Sequence, residues 1–128
     1  MCTSLPGGEL AVKHEEVKQR VLDYITRNSG TTYAEIERVF NMNGYPFKGN
    51  LLSCSNRCEN VVLWSGWTKD AFLIISDLLE SGLIHREPCR TLLYMIDGKA
   101  LTFPVVKRFM QYKTPHWLPT VFIAGPER

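Results

Sequence analysis

"LIISDLLESGLIHRE", Leu73–Glu87, changes its period halfway along, and that change decides the fold. Before Ser81 the apolar positions Ala71, Phe72, Ile75, Leu78 and Leu79 recur at helical spacing and form one buried stripe. Lys69, Asp70, Leu73, Ser76, Asp77 and Glu80 fall outside it. Thr68 is placed to cap this helix, and Gly82 stands where a C-terminal glycine belongs. Beyond Gly82 the period becomes that of a strand. "LIHRE", "RTLLYMI" and "KALTFPV" read as three successive strands, turned at Pro88-Cys89 and at the hairpin signal Asp97-Gly98. "TVFIA", Thr120 to Ala124, adds a last strand.

Two helices are predicted upstream. From His14 to Asn28 the residues Val17, Val21, Leu22, Tyr24 and Ile25 keep helical spacing, with Glu15 and Glu16 in the first turn. Thr31 or Thr32 then caps a second helix with Glu35 as capping-box partner, and Tyr33, Ile36, Val39 and Phe40 form its buried stripe. Gly44 and Pro46 end it. The stretch from Tyr45 to Glu59 reads as loop, Asn60 to Trp64 as a short buried strand, and Ser65-Gly66 as a turn. Trp64 belongs to the core, and Trp67 packs ahead of helix three as a hydrophobic staple.

The chain of 128 residues, 45% hydrophobic and 22% charged, suits one domain with its own core. Residues 1–13 read as a flexible lead and 14–128 as a single domain. No apolar run approaches the roughly 20 residues of a membrane span, and no secretory signal opens the chain. Four cysteines are few for a disulfide scaffold, so the expectation is a cytoplasmic protein with reduced thiols.

Three helices followed by strands, joined through Gly82-Leu83-Ile84, resemble the winged-helix group of helix-turn-helix proteins over roughly residues 17–103. The resemblance implies an α+β domain: a winged-helix-like three-helix core with an antiparallel wing sheet extended by C-terminal strands. "NVVLWSGW" and "YKTPHWLP" are also similar to small proteins of phages and other mobile elements. The group serves repressors, replication factors and protein-contact modules, so function rests on the residues. The stretch between helices two and three is far longer than a simple helix-turn-helix connection.

The outward face of helix three sets Lys69 against Asp70, Asp77 and Glu80, which argues against docking on a polyanion. Charge gathers elsewhere. Residues 1–64 hold seven Lys/Arg and seven Asp/Glu, whereas Lys99, Lys107, Arg108 and Lys113 lie between Gly98 and Pro126 with no acid among them. Basic residues interleaved with aromatics suit single-stranded nucleic acid, because cations follow the backbone while rings stack on bases. The expected contacts are Arg86, Arg90, Lys99, Lys107, Arg108 and Lys113 to phosphates, with Tyr112, Trp117 or Phe109 stacking.

Other chemistry is less specific. Cys54, Cys58, His85 and Cys89 would make a zinc tetrahedron if the long loop folded onto the wing, but the C-x-x-x-C spacing is uncommon for zinc. No cysteine carries a nucleophile signature, and there is no phosphate-binding glycine loop or acid pair. The expectation is a non-enzymatic nucleic-acid-binding protein without cofactor or membrane. Its sequence preference would be weak, with a bias to single-stranded over duplex DNA, in replication, repair or regulation. The alternative is a protein-protein interaction module, an adaptor or inhibitor using the acidic face of helix three.

Overall fold

The computed structural model describes the backbone of residues 7–108 and 110–127, and the side chains of that set from Lys13 onward. The order is α1 (Gly7–Arg27), β1 (Thr31–Thr32), α2 (Tyr33–Met42), β2 (Lys48–Cys54), β3 (Val61–Trp67), α3 (Lys69–Glu80), β4 (Ile84–Pro88), α4 (Thr91–Asp97), β5 (His116–Trp117) and β6 (Thr120–Ala124). The class is α+β, as expected. One three-stranded sheet runs β1-β6-β4, antiparallel throughout; the other runs β2-β3-β5, with β3 and β5 parallel.

The first three helices follow their sequence signals. Val17, Val21 and Ile25 of α1 are buried, and the helix begins at Gly7, ahead of the apolar spacing that predicts a start at His14. Thr32 caps α2 by accepting from the Glu35 N–H at 3.1 Å. The Glu35 carboxylate turns aside to accept from the Tyr24 hydroxyl at 2.7 Å. Thr68 caps α3 in the same way, and Trp67 stacks on Phe72 across that cap at 4.9 Å, the staple its position implied. On α3 the fully buried residues are Ala71, Ile74, Ile75 and Leu78, with Phe72 and Leu79 half-buried.

Several expectations are corrected. The predicted loop from Tyr45 contains β2, and β3 runs through Ser65-Gly66 to Trp67, so the two make a hairpin. A bulge sets both Lys48 and Leu51 opposite Trp67, and a Cβ on Gly49 would lie 2.6 Å from the Trp67 carbonyl oxygen. That close approach requires glycine. "RTLLYMI" is a helix rather than a wing strand. Gly98, at φ +81°, is its left-handed C-cap, and the hairpin turn expected at Asp97-Gly98 does not form. Arg38 and the Thr32 hydroxyl hold Asp97 in place. "KALTFPV" forms no strand beyond a parallel bridge from Val105 to Trp117.

Between the helices and the two sheets lies an aromatic core. Tyr33 stacks on Trp64 at 5.5 Å and meets Trp67 and Phe122 edge-on. Tyr94 packs between Trp64 and Trp117, and its hydroxyl donates to the Thr120 carbonyl at 2.6 Å while accepting from the Tyr33 N–H. Among the described residues the one buried carboxylate, Glu37, accepts from both indoles: Trp64 Nε1 at 3.0 Å and Trp67 Nε1 at 2.9 Å. Among the described residues, no helix is long and apolar enough to cross a membrane.

Candidate nucleic-acid interface

Residues 105–117 leave the core and return to it through Trp117, which is 1% exposed. Backbone bonds close the base of this lobe: Val106 N–H donates to Trp117 O and Trp117 N–H to Pro104 O, each at 2.8 Å. His116 N–H donates to Asn60 O, which joins the lobe to β3. Side chains tie it to the β2–β3 turn. Asn60 Nδ2 donates to Tyr112 O and Gln111 Nε2 to Arg57 O, both at 2.8 Å.

That frame presents charge and a flat surface together. Lys107, Arg108 and Lys113 are exposed, and none pairs with a carboxylate among the described residues. Tyr112 stacks on His116 with centroids 3.9 Å apart and planes within 25°. Two bonds fix the pair: the Tyr112 hydroxyl donates to Arg108 O at 2.6 Å, and His116 Nδ1 lies 2.8 Å from Thr114 O. Glu59 follows Arg57 by two residues on the adjoining β2–β3 turn.

The eight expected contacts therefore divide. Lys107, Arg108, Tyr112 and Lys113 come together in this lobe. Trp117 does not stack on a ligand here, because it is packed against Trp64 and Tyr94. Lys99 is engaged by Glu37 at 2.6 Å and lies 5.8 Å over the Trp64 ring. Arg90 is exposed at the N-cap of α4, and Arg86 points into the molecule from β4. Phe109 lies outside the described residues. His116 as a stacking partner had no signal in the sequence, since its contact with Tyr112 depends on how the loop closes.

The zinc set does not assemble. Among the described residues no three of His, Cys, Asp and Glu gather as a metal site. Both ring nitrogens of His85 are occupied, by Gly125 O at 3.0 Å and Glu87 Oε2 at 3.1 Å. Burial pushes the Cys89 thiol up to about 11 and, with help from Glu59, raises Cys54, so neither holds the thiolate that a nucleophile needs. On α3, Asp77 faces α1, 3.5 Å from Lys18 Nζ and 3.9 Å from His14 Nε2, which reduces the acidity of that face.

No protein-family model matches the chain, and no curated protein or solved structure matches it.

Proposed function

We propose that the protein binds nucleic acid without catalysing a reaction, with weak sequence preference and a bias to single strands. The observation that carries this reading is the lobe of residues 105–117. Its three exposed cations, unpaired with carboxylates among the described residues, lie within a few residues of an aromatic stack in a stretch free of acidic residues. Phosphates would lie along Lys107, Arg108 and Lys113, and a base would add to the Tyr112–His116 stack.

The element order supports a winged-helix variant. β1 lies between α1 and α2, β4 follows α3, and β6 inserts between β1 and β4. On this reading the β2–β3 hairpin is an insertion before the third helix, and the wing is replaced by α4 and the basic lobe. Helix three keeps Asp70 and Glu80 on its open face, so the lobe rather than the helix is the contact surface.

Fluorescence anisotropy of labelled single-stranded and duplex oligonucleotides, at two salt concentrations, tests the proposal. Salt-sensitive binding, tighter to single strands and lost in a folded Lys107→Glu/Arg108→Glu variant, is expected. A variant that binds as the parent does would remove the site from consideration.

A second reading, a protein-contact module, is favoured by α4, where Leu92, Leu93, Met95 and Ile96 are all exposed. That reading moves the contact away from the acidic face of helix three, where Asp77 already faces Lys18.

A further inference from the structure

Arg86 occupies an unexpected side of its sheet. Along β4, Ile84 is buried and Arg86 pairs with Phe122, a core residue that is 0% exposed. The guanidinium consequently enters the interior edge of the sheet. Its Nε is fully buried without a hydrogen-bond partner, and so is the nearby Tyr33 hydroxyl. Burial raises the Tyr33 phenol, while the Arg86 guanidinium and the Ser53 hydroxyl beside it pull it down. These three side chains thus lie between the β2–β3 hairpin and β4, at the cleft both line. Among the described residues Arg86 has no carboxylate partner.

A half-buried cation without a counter-charge is costly, and the usual remedies are a paired carboxylate or a bound anion. Room for the second exists. Arg86 lines a cleft of about 510 Å³ with Ser53 and Asn56 of the hairpin and Ser76 of α3. Its Nη nitrogens are not among the buried unpartnered atoms, so the outer edge of the guanidinium is the part the cleft reaches. Glu80 and Glu127 also line the cleft but are exposed, where salt screens them more than it screens Arg86. The planar fork of arginine matches two oxygens of a phosphate, and Ser53 and Asn56 add neutral donors.

We propose that Arg86 anchors a phosphate-binding site in this cleft. The choice of phosphate over a carboxylate rests on the nucleic-acid reading above; the anion site itself does not. The same hairpin turn that lines the cleft with Asn56 holds the basic lobe through Arg57 and Asn60. The terminal phosphate of a strand held at Tyr112 is one source of the anion that this cleft would take.

The test titrates the full chain with inorganic phosphate at constant ionic strength, balanced with chloride, while the Arg86 Nε–Hε resonance is followed by NMR. A saturable shift is expected. Arg86→Gln should weaken phosphate binding by about tenfold or more, and Arg86→Lys, which keeps the charge but not the fork, by less. A chloride titration that gives the same shift, or a folded Arg86→Gln protein with unchanged phosphate affinity, overturns the site. Should Arg86→Gln not fold, Ser53→Ala is read instead, and unchanged affinity there overturns the site equally.

A single-stranded oligonucleotide with a terminal phosphate, compared with its hydroxyl-ended twin, identifies the source. Preference for the phosphorylated end, lost in Arg86→Gln, assigns the cleft to strand ends. Equal binding of both, with inorganic phosphate still saturable, assigns it to free phosphate. The inorganic-phosphate arm uses no nucleic acid, so its failure is distinct from failure of the Lys107/Arg108 contacts.

Discussion

Lys99 Nζ lies 2.6 Å from Glu37 Oε1, and this pair caps the buried Glu37 carboxylate of the aromatic core at its solvent side. The other oxygen, Oε2, accepts from two tryptophans. Helix α2, the β2–β3 hairpin and the segment after α4 therefore share a single polar junction. Replacing Glu37 by Ala leaves two buried indole N–H groups without an acceptor. The expected cost is about 2–4 kcal/mol, measured by urea unfolding. Lys99→Ala, at a half-exposed position, should cost roughly 1 kcal/mol or less. Equal effects of the two would show that the indole bonds contribute nothing.

Trp117 and Tyr112 of the basic stretch should behave oppositely. Trp117→Ala removes a fully buried ring and is expected to destabilise the fold by about 3–5 kcal/mol. Tyr112→Ala should leave thermal unfolding nearly unchanged and weaken single-strand binding by about 1–3 kcal/mol. A Tyr112→Ala protein that binds normally would mean that the stack with His116 only shapes the loop.

Salt dependence counts the phosphate contacts. With Lys107, Arg108 and Lys113 engaged, the slope of log K against log salt for single strands should be roughly −2. Removing Lys113 should flatten it by about 0.7 without altering base preference. A slope near zero would exclude the lobe as an electrostatic contact.

His85 offers a pH test. Its ring is held by Gly125 O and then by Glu87, which raise its pKa above the ordinary 6.5. The folded state therefore favours the imidazolium. The stabilisation is complete below the unfolded value of about 6.5 and is lost as pH rises through the higher folded value. His85→Gln should flatten the stability profile across that window. NMR titration of the ring should place its midpoint above the ordinary value; a midpoint at or below it would contradict the geometry.

Much of this architecture was legible because burial and period agree. Val17, Val21 and Ile25, or Tyr33, Ile36 and Phe40, are apolar where a helix must face inward, and Thr32 and Thr68 mark the starts. The hairpin strand β2 was hidden because its large apolar residues, Leu51 and Leu52, face outward among Gly49, Asn50 and Ser53. α4 was hidden for a related reason. Of its apolar residues only Tyr94 is buried, so no helical stripe distinguishes it from a strand. In the basic lobe, charge was readable from composition, but the roles of Trp117 and His116 were not. Which ring enters the core depends on the parallel pairing of β5 with β3, a contact between segments far apart in the chain.

The sheet β1-β6-β4 also carries a timetable. Its middle strand is the last of the ten elements, so Thr31 and Arg86 both wait for Phe122 before either strand gains its neighbour. Pairing across such separations pays its loop-closure entropy before any ladder bond rewards it. Until residues 120–124 arrive, β1 and β4 are two unsatisfied edges around an absent centre, open to strands from other chains. Helices α1 to α3 need no strand pairing to form, whereas this sheet cannot be complete before β6 is in place, and until then its edges are open to misassembly.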